Sequence, residues 1–534
     1  MHKKVMLTIG IALVLFAGGA FSQSRAAEAK PPTVATTGGL VSGFRQGDSN
    51  AYFGLPFAQP PVGNLRWRAP LPPRSWSGVR DGSRFGANCY QAEGARFGPY
   101  TPEFMIDSSP VSEDCLYLNI WTPAKGGISL PILVWIHGGG FGGGSGSVPI
   151  YNGARLAAKG AIVVTVNYRV GAFGFLAHPG LSAETPDRAS GNYGMQDVVS
   201  SLEWVRDNAS RFGGDPRRVT VVGQSAGAMA INALLLSPKA QGLFAGAITE
   251  SGTAAGSVLA SLKDSEAIGA QLASKLNVRT IEELRNLSAE SIVKASGAGP
   301  PLPGAPPRVR LAPNIDGKFI VGDPNDPNAV LRVKVPQISG YNRDEGRGVT
   351  LGQKATTASF EEMVRAQYKD FAERILAAYP HATDADATLS AYTLPRDAVT
   401  VTHAVFGQMR TANSSHAFYP YVFEHVYPGP ESELFGSFHT AEVPYLFGVL
   451  DQQGRPFNAE DRRISEEVQA YWLNFMRTGN PNGKGLPSWP ASRAGSMEVM
   501  WLGDRAGARP ACSTPERAAV LRDYVNTKGY LAFL

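Results

Sequence analysis

The sequence predicts an α/β fold: a central, mostly parallel sheet flanked by helices and folded as one large domain. Three observations carry this expectation. Short β-branched runs alternate along the chain with longer stretches of helical character, the order that covers a parallel sheet on both faces. The chain has 534 residues, 43% of them hydrophobic, enough for a large core, and α/β architectures of this size often form one domain. At one strand-to-helix corner stands a serine between glycines, Gly223-Gln224-Ser225-Ala226-Gly227, a site type that belongs to such sheets.

Residues 1–27 are set apart from that domain, which is taken as residues 28–534. Lys3 and Lys4 form a short basic start, Val5 to Phe21 is mostly apolar, and small residues follow. Ala20-Phe21-Ser22 and Ser24-Arg25-Ala26 both resemble A-x-A cleavage sites, so the segment reads as an export signal peptide. Gly10, Gly18 and Gly19 interrupt it, and it is short for a membrane span. A secreted or periplasmic protein is expected, without stable membrane insertion after cleavage. The formal charge is +5, and removing the three basic residues of the signal leaves about +2. That balance makes no electrostatic case for nucleic acid or an anionic membrane surface. Oligomeric state is left open.

Export bears on the three cysteines. Cys89 and Cys115 stand 26 positions apart and are able to close one loop in an oxidising compartment. Cys512, far along the chain, is expected to be a free, partly buried thiol. No CxxC pair and no HExxH segment occurs, so neither a metal nor a cofactor is expected.

The strands are placed at Leu130–Ile136, Ala161–Tyr168, Val219–Val222, Phe244–Ile248, Val335–Tyr341 and Phe418–Val426. Helical stretches between them include Tyr193–Phe212 and Ser465–Arg477. Ser296–Pro313, with six prolines, must be irregular and is expected as a surface loop near the cleft.

The corner at Ser225 has the residue types of a nucleophile elbow. Arg218–Val222 is fit for a buried strand and Ala228–Leu236 for a helix, and the tight turn between them needs glycine at its flanks. The turn pushes Ser225 Oγ out of the sheet, and the helix start behind it offers free N–H groups to an anionic intermediate. An acyl transfer through serine also needs oxyanion donors, a base and an acid to orient the base. His137-Gly138-Gly139-Gly140-Phe141 follows the first strand, where an HGGG-type oxyanion loop is expected. After the fifth strand, Asn342-Arg343-Asp344-Glu345-Gly346 offers Asp344 and Glu345 as acids, and pattern alone does not choose between them. His403, His416, His425 and His439 compete as base. Position in a loop beyond the last recognised strand favours His439, whereas His425 ends an aromatic strand and reads as a packed imidazole.

These segments resemble the type-B carboxylesterases, the cholinesterase-like branch of the α/β hydrolases, over nearly all of residues 33–530. Ser112-Glu113-Asp114-Cys115-Leu116-Tyr117-Leu118-Asn119 and the elbow are similar to the two family signatures. Asn167–Phe175, Gly191–Asp197, Phe212–Pro216 and Phe475–Asn482 are similar to further family blocks. The resemblance implies an α/β-hydrolase fold and carboxylic ester hydrolysis through an acyl-enzyme on Ser225. It implies Glu345 rather than Asp344 as the acid, His439 as the base, and the N–H groups of Gly139, Gly140 and Ala226 as the oxyanion hole. It also implies the pairing of Cys89 with Cys115.

Two departures bear on substrate. The family usually has glutamate before the nucleophile, where this chain has Gln224. Cholinesterases carry a tryptophan between the two disulfide cysteines, and residues 90–114 contain none; Tyr90, Phe97, Tyr100 and Phe104 are the aromatics there. Tryptophan is the best cation–π partner, so a small uncharged ester is the expected substrate rather than a choline ester. The same triad acting on amides or thioesters remains the nearer alternative. A non-catalytic adhesion role on this fold is disfavoured, because the chain keeps candidates for nucleophile, base and oxyanion loop.

Overall fold

Eleven strands form one sheet in a computed structural model of the chain, which describes residues 32–529 apart from 95–97, 107–108, 253–258, 298–310, 327–328, 330–331, 348–353 and 453. In chain order the strands are β1 (Phe44–Gln46), β2 (Ser49–Pro56), β3 (Tyr117–Pro123), β4 (Leu130–Ile136), β5 (Ile162–Val166) and β6 (Gly214–Gln224). β7 (Gly246–Glu250), β8 (Gln337–Asn342), β9 (Phe418–Phe423), β10 (Glu498–Leu502) and β11 (Gly507–Pro510) complete it. Their lateral order is β11-β10-β9-β8-β7-β6-β4-β5-β3-β2-β1. Every pairing from β5 through β4, β6, β7, β8 and β9 to β10 is parallel. The two flanks are antiparallel.

The parallel centre is where the sequence places strands, because a strand covered on both faces is apolar at every position rather than at alternate ones. All of Ile162–Val166 and all but the first residue of Leu130–Ile136 are buried. The antiparallel flank β2–β3 is missing from the sequence expectation. Gly54 and Asn119 interrupt its apolar pattern, and the pairing shifts register between Tyr52 and Leu55.

Helices cover both faces. α1 (Tyr193–Asn208) and α2 (Ala226–Leu235) pack into one hydrophobic cluster with the sheet, and α3 (Ala459–Thr478) into a second. All residues of α2 except Met229 are buried, which is what a helix apolar on all sides requires. The two clusters lie on opposite sides of the sheet, as the strand alternation shows: Ile132, Val134 and Ile136 join one, Leu133 and Trp135 the other. From Pro32 onward the chain is one domain. Among the described residues no helix is long and apolar enough to cross a membrane. The expected signal segment, residues 1–27, and most of the proline-rich loop lie outside the described residues, as does Phe97.

Candidate active site

The parallel strands β6, β7 and β8 end side by side, and the residues that follow them build the site. At the end of β6 the backbone turns through Ser225, whose φ of 57° and ψ of −125° lie outside the usual regions for a side-chain-bearing residue. Two bonds hold it there: Ser225 N–H donates to the Glu250 carbonyl at 2.8 Å, and Met229 N–H donates to the Ser225 carbonyl at 3.0 Å. The flanking glycines are needed for space, while the left-handed φ falls on the serine itself. A Cβ on Gly227 lies 1.9 Å from the Ile136 carbonyl oxygen, and one on Gly223 lies 2.8 Å from that same oxygen. The Ser225 hydroxyl makes no hydrogen bond among the described residues.

The glycine loop leaves β4 beside this corner. Gly138 is buried, Gly139 and Gly140 are exposed, and their φ values of 111° and 61° suit glycine. A tight turn shapes the loop, with Gly142 N–H on the Gly139 carbonyl at 3.0 Å. The N–H groups of Gly139, Gly140 and Ala226 donate to nothing among the described residues. His137 is a fixture of this loop. Its Nδ1 donates to the Gly138 carbonyl at 2.8 Å, its ring stacks on Tyr168, and burial lowers its pKa to about 4, leaving it neutral.

The two sequence-adjacent acids after β8 diverge. Asp344 pairs with Arg343 at 2.7 Å and Arg347 at 3.3 Å and accepts from the Ser437 N–H at 3.0 Å. Glu345 turns inward. Its Oε2 lies 2.5 Å from His439 Nδ1, and its Oε1 accepts from the Asn342 N–H at 2.8 Å and from the Ser251 hydroxyl. His439 Nε2 lies 3.0 Å from the side-chain nitrogen of Gln224, the residue before Ser225. Burial works against a charged His439, but the Glu345 carboxylate and its hydrogen bond outweigh it, and the net shift is upward.

The competing histidines lie elsewhere. His425 is held between Asp461 at 2.9 Å and Asp504. His403 is buried with Nδ1 on the Val399 carbonyl at 3.1 Å, and its pKa falls to about 4. His416 follows the long helix Asp384–Asn413, and burial lowers its pKa.

Behind Glu345 lie two further buried carboxyls that the sequence reading missed. Ser251 bridges Glu345 and Glu442, with 3.3 Å to Glu442 Oε1. Asn342 donates to Glu442 Oε2 and to the Phe438 carbonyl. Burial, with the Glu345 charge second, pushes Glu442 up to about 7. Glu250, fully buried, takes a hydrogen bond from Trp472 Nε1 at 2.9 Å and is raised well above the carboxylate range, first by burial and then by Glu442. The signal that finds Glu250 is position: Glu250–Ser251 stand at the carboxyl end of β7, where sites on parallel sheets form.

Cys89 and Cys115 form a disulfide, and Cys512 is a buried free thiol. The aromatics between the bridged cysteines are engaged with protein rings. Tyr90 packs edge-on against Phe173, Tyr100 against Phe438, and Phe104 against Tyr427. No His, Cys, Asp and Glu group suited to a metal occurs among the described residues.

Residues 30–516 match the sequence profile of the carboxylesterase family. A fumonisin B1 esterase of Sphingopyxis macrogoltabida is 38% identical over 495 residues, covering 89% of this chain and 86% of the relative. A para-nitrobenzyl esterase of Bacillus subtilis (strain 168) is 33% identical over 495 residues, covering 88% and 94%. A medium-chain fatty acyl-CoA hydrolase precursor of Anas platyrhynchos is 32% identical over 540 residues, covering 90% of each. Among solved structures, a thermophilic PNB esterase superposes with a TM-score of 0.74 at 30% identity, covering 92% of this chain and 99% of its own.

Proposed function

The chain belongs to the carboxylesterase family, an α/β-hydrolase and a carboxylic ester hydrolase, and from that premise we propose that it is an exported serine esterase acting through Ser225, His439 and Glu345. One observation carries the assignment. At the elbow, His439 is held at 2.5 Å by a buried glutamate on one nitrogen, and its other nitrogen faces the residue next to Ser225.

In this reading Ser225 Oγ attacks the ester carbonyl carbon while His439 Nε2 takes the hydroxyl proton. The tetrahedral oxyanion is met by the N–H groups of Gly139, Gly140 and Ala226, donors aimed at charge that exists only in the transition state and intermediate. The imidazolium returns the proton to the leaving alcohol as the carbon–oxygen bond breaks, leaving an acyl-serine. A water then attacks with His439 again as base and releases the acid. Glu345 orients the imidazole and stabilises its charged form.

Uncharged esters are the proposed substrates. Gln224 brings no negative charge to the acyl centre, and Tyr90, Tyr100 and Phe104 are packed against other rings. The esterase names of two relatives agree with ester cleavage, and the acyl-CoA hydrolase name favours thioesters as a second substrate class, since the acyl half of the reaction is shared. The export-type N-terminus and the Cys89–Cys115 bridge support an oxidising location.

A fluorophosphonate probe followed by peptide mass analysis tests the nucleophile: label on Ser225 supports the reading, and label elsewhere or none rejects it. Matched ethyl and choline esters of one acyl group then test the alcohol site. A higher kcat/KM for the choline ester would falsify the uncharged-ester assignment.

A further inference from the structure

The glycine loop after β4 and the histidine loop after β9 both touch a third segment that carries none of the proposed chemistry. A disulfide between Cys89 and Cys115 closes that segment. Near its start, buried Gln91 grips the glycine loop with both ends of its amide. Oε1 accepts from the Gly144 N–H at 2.8 Å and Nε2 donates to the Gly144 carbonyl at 2.9 Å. Nε2 also donates to the Cys89 carbonyl at 2.9 Å, which ties the clamp to the bridge. The contact continues just ahead of the bridge: Ser147 Oγ donates to Asn88 Oδ1 at 3.0 Å, and Asn167 joins the Ala87 carbonyl to the Gly146 N–H.

Gly144 has a φ of 109°, a conformation with little intrinsic preference to hold its peptide in one direction. It folds back against the base of the loop, where a Cβ on Gly144 lies 2.4 Å from the Gly138 carbonyl oxygen. The residue before it is bonded to the donor stretch, with Gly143 N–H on the Gly139 carbonyl at 3.2 Å.

Midway along the segment, Tyr100 OH donates to the His439 carbonyl at 2.9 Å, and its ring meets Phe438 edge-on at 5.6 Å. Arg455 fixes this stretch by donating to Glu103 Oε1 at 3.0 Å, Thr101 Oγ1 at 2.6 Å and the Pro99 carbonyl at 3.3 Å. The residue after His439, Thr440, has a φ of 83°, a left-handed conformation that persists only when its surroundings impose it.

We propose that the disulfide-closed segment is a brace for the catalytic geometry, with Gln91 the positioning residue for the oxyanion donors and Tyr100 the positioning residue for the base. The proposal rests on the serine-esterase reading above. A buried two-point clamp fixes both the place and the rotation of one peptide, and misplacing reacting groups by about 1 Å costs on the order of 10²-fold in rate. Both residues act through others, so the turnover step carries the effect and substrate binding does not.

The test measures kcat and KM on an uncharged nitrophenyl ester for wild type, Gln91→Ala, Gln91→Glu and Tyr100→Phe. Melting temperature is recorded alongside inhibition by a trifluoromethyl ketone, whose serine adduct carries the oxyanion. Gln91→Ala is expected to lose kcat on the order of 10²-fold, with ketone affinity falling in parallel and KM little changed. Gln91→Glu keeps the acceptor for the Gly144 N–H and should recover part of that loss. Tyr100→Phe is expected to lose kcat roughly 3- to 10-fold for each hydrogen bond its hydroxyl gives up, to the His439 carbonyl and to the Thr440 side chain. Undiminished ketone affinity in folded Gln91→Ala, or wild-type kcat in Tyr100→Phe, overturns the brace at that end. If Gln91→Ala does not fold, Gln91→Glu decides its end by the same two readouts. Failure of the underlying reading looks different, because the wild type itself then forms no ketone adduct on Ser225.

Discussion

His439 Nε2 lies 3.0 Å from the side-chain nitrogen of Gln224, while His439 Nδ1 lies 2.5 Å from Glu345 Oε2. With the Nδ1 proton directed at the carboxylate, Nε2 carries the lone pair and accepts from the amide. The lone pair proposed to take the serine proton is thus occupied at rest by a neutral donor. Once protonated, Nε2 no longer accepts from that amide. A neutral residue at this place leaves the imidazolium with Glu345 as its carboxylate partner.

That contact predicts a pH effect. The proposed base acts when neutral, and the raised His439 pKa should put the acidic limb of kcat/KM above the ordinary histidine value. Gln224→Glu places a negative charge against Nε2 and should move the limb further up, by about 1 unit or more. Gln224→Met should not raise it. A limb that stays in place in Gln224→Glu shows that the contact is not made in the working enzyme.

The neighbouring acids should separate in kind as well as degree. Glu345→Gln is expected to keep the fold and lose turnover by orders of magnitude, because the imidazole loses the group that sets its tautomer. Asp344→Asn leaves Arg343 and Arg347 without their charge partner, so it should lower the melting temperature and affect kcat much less. Thermal melts and kcat on both variants check this, and the reverse ranking exchanges the two roles.

Gly139 and Gly140 resist substitution for different reasons. A Cβ on Gly139 lies 2.2 Å from the Gly143 carbonyl oxygen, whereas one on Gly140 meets nothing within 4 Å. Gly139→Ala should therefore distort the loop itself. Gly140→Val should fold, because its Cβ points into open space, but its φ of 61° is strained for a β-branched residue. Loss of one oxyanion donor costs on the order of 10²–10³ in turnover, and a normal rate in folded Gly140→Val assigns the loop a structural role only.

Glu442 predicts a stability change with pH. Its folded-state pKa is raised to about 7 from the usual 4.5, first by burial and then by Glu345. The folded protein therefore holds a proton that the unfolded chain releases. Its stabilising contribution is full below 4.5 and is lost as pH rises to about 7. Glu442→Gln removes that loss, at most roughly 3 kcal/mol, so its melting temperature should gain on wild type between about pH 5 and pH 8. A constant difference across that range rejects the assignment.

The parallel centre of the sheet was legible because burial on both faces writes apolar, β-branched runs directly into the chain. β4 was read with its boundaries intact, and the elbow and the glycine loop are contiguous segments whose chemistry is local. The flank β2–β3 was not read, since Gly54 within β2 and Asn119 within β3 break the local pattern, and each strand is held by pairing with distant residues.

What the sequence determined by itself was everything carried by neighbours in the chain: the sheet's centre, the Ser225 corner, the glycines around it and the short menu of acids and bases. Tertiary structure decided which members of that menu meet. Asp344 and Glu345 are adjacent, yet one faces two arginines and the other His439, because successive side chains leaving β8 point in different directions. The partners of His439 lie 94, 215 and 339 positions away at Glu345, Gln224 and Tyr100. Periodicity does not encode separations of that length, and only the closing of the sheet, with its strand ends side by side, brings those groups within hydrogen-bonding reach.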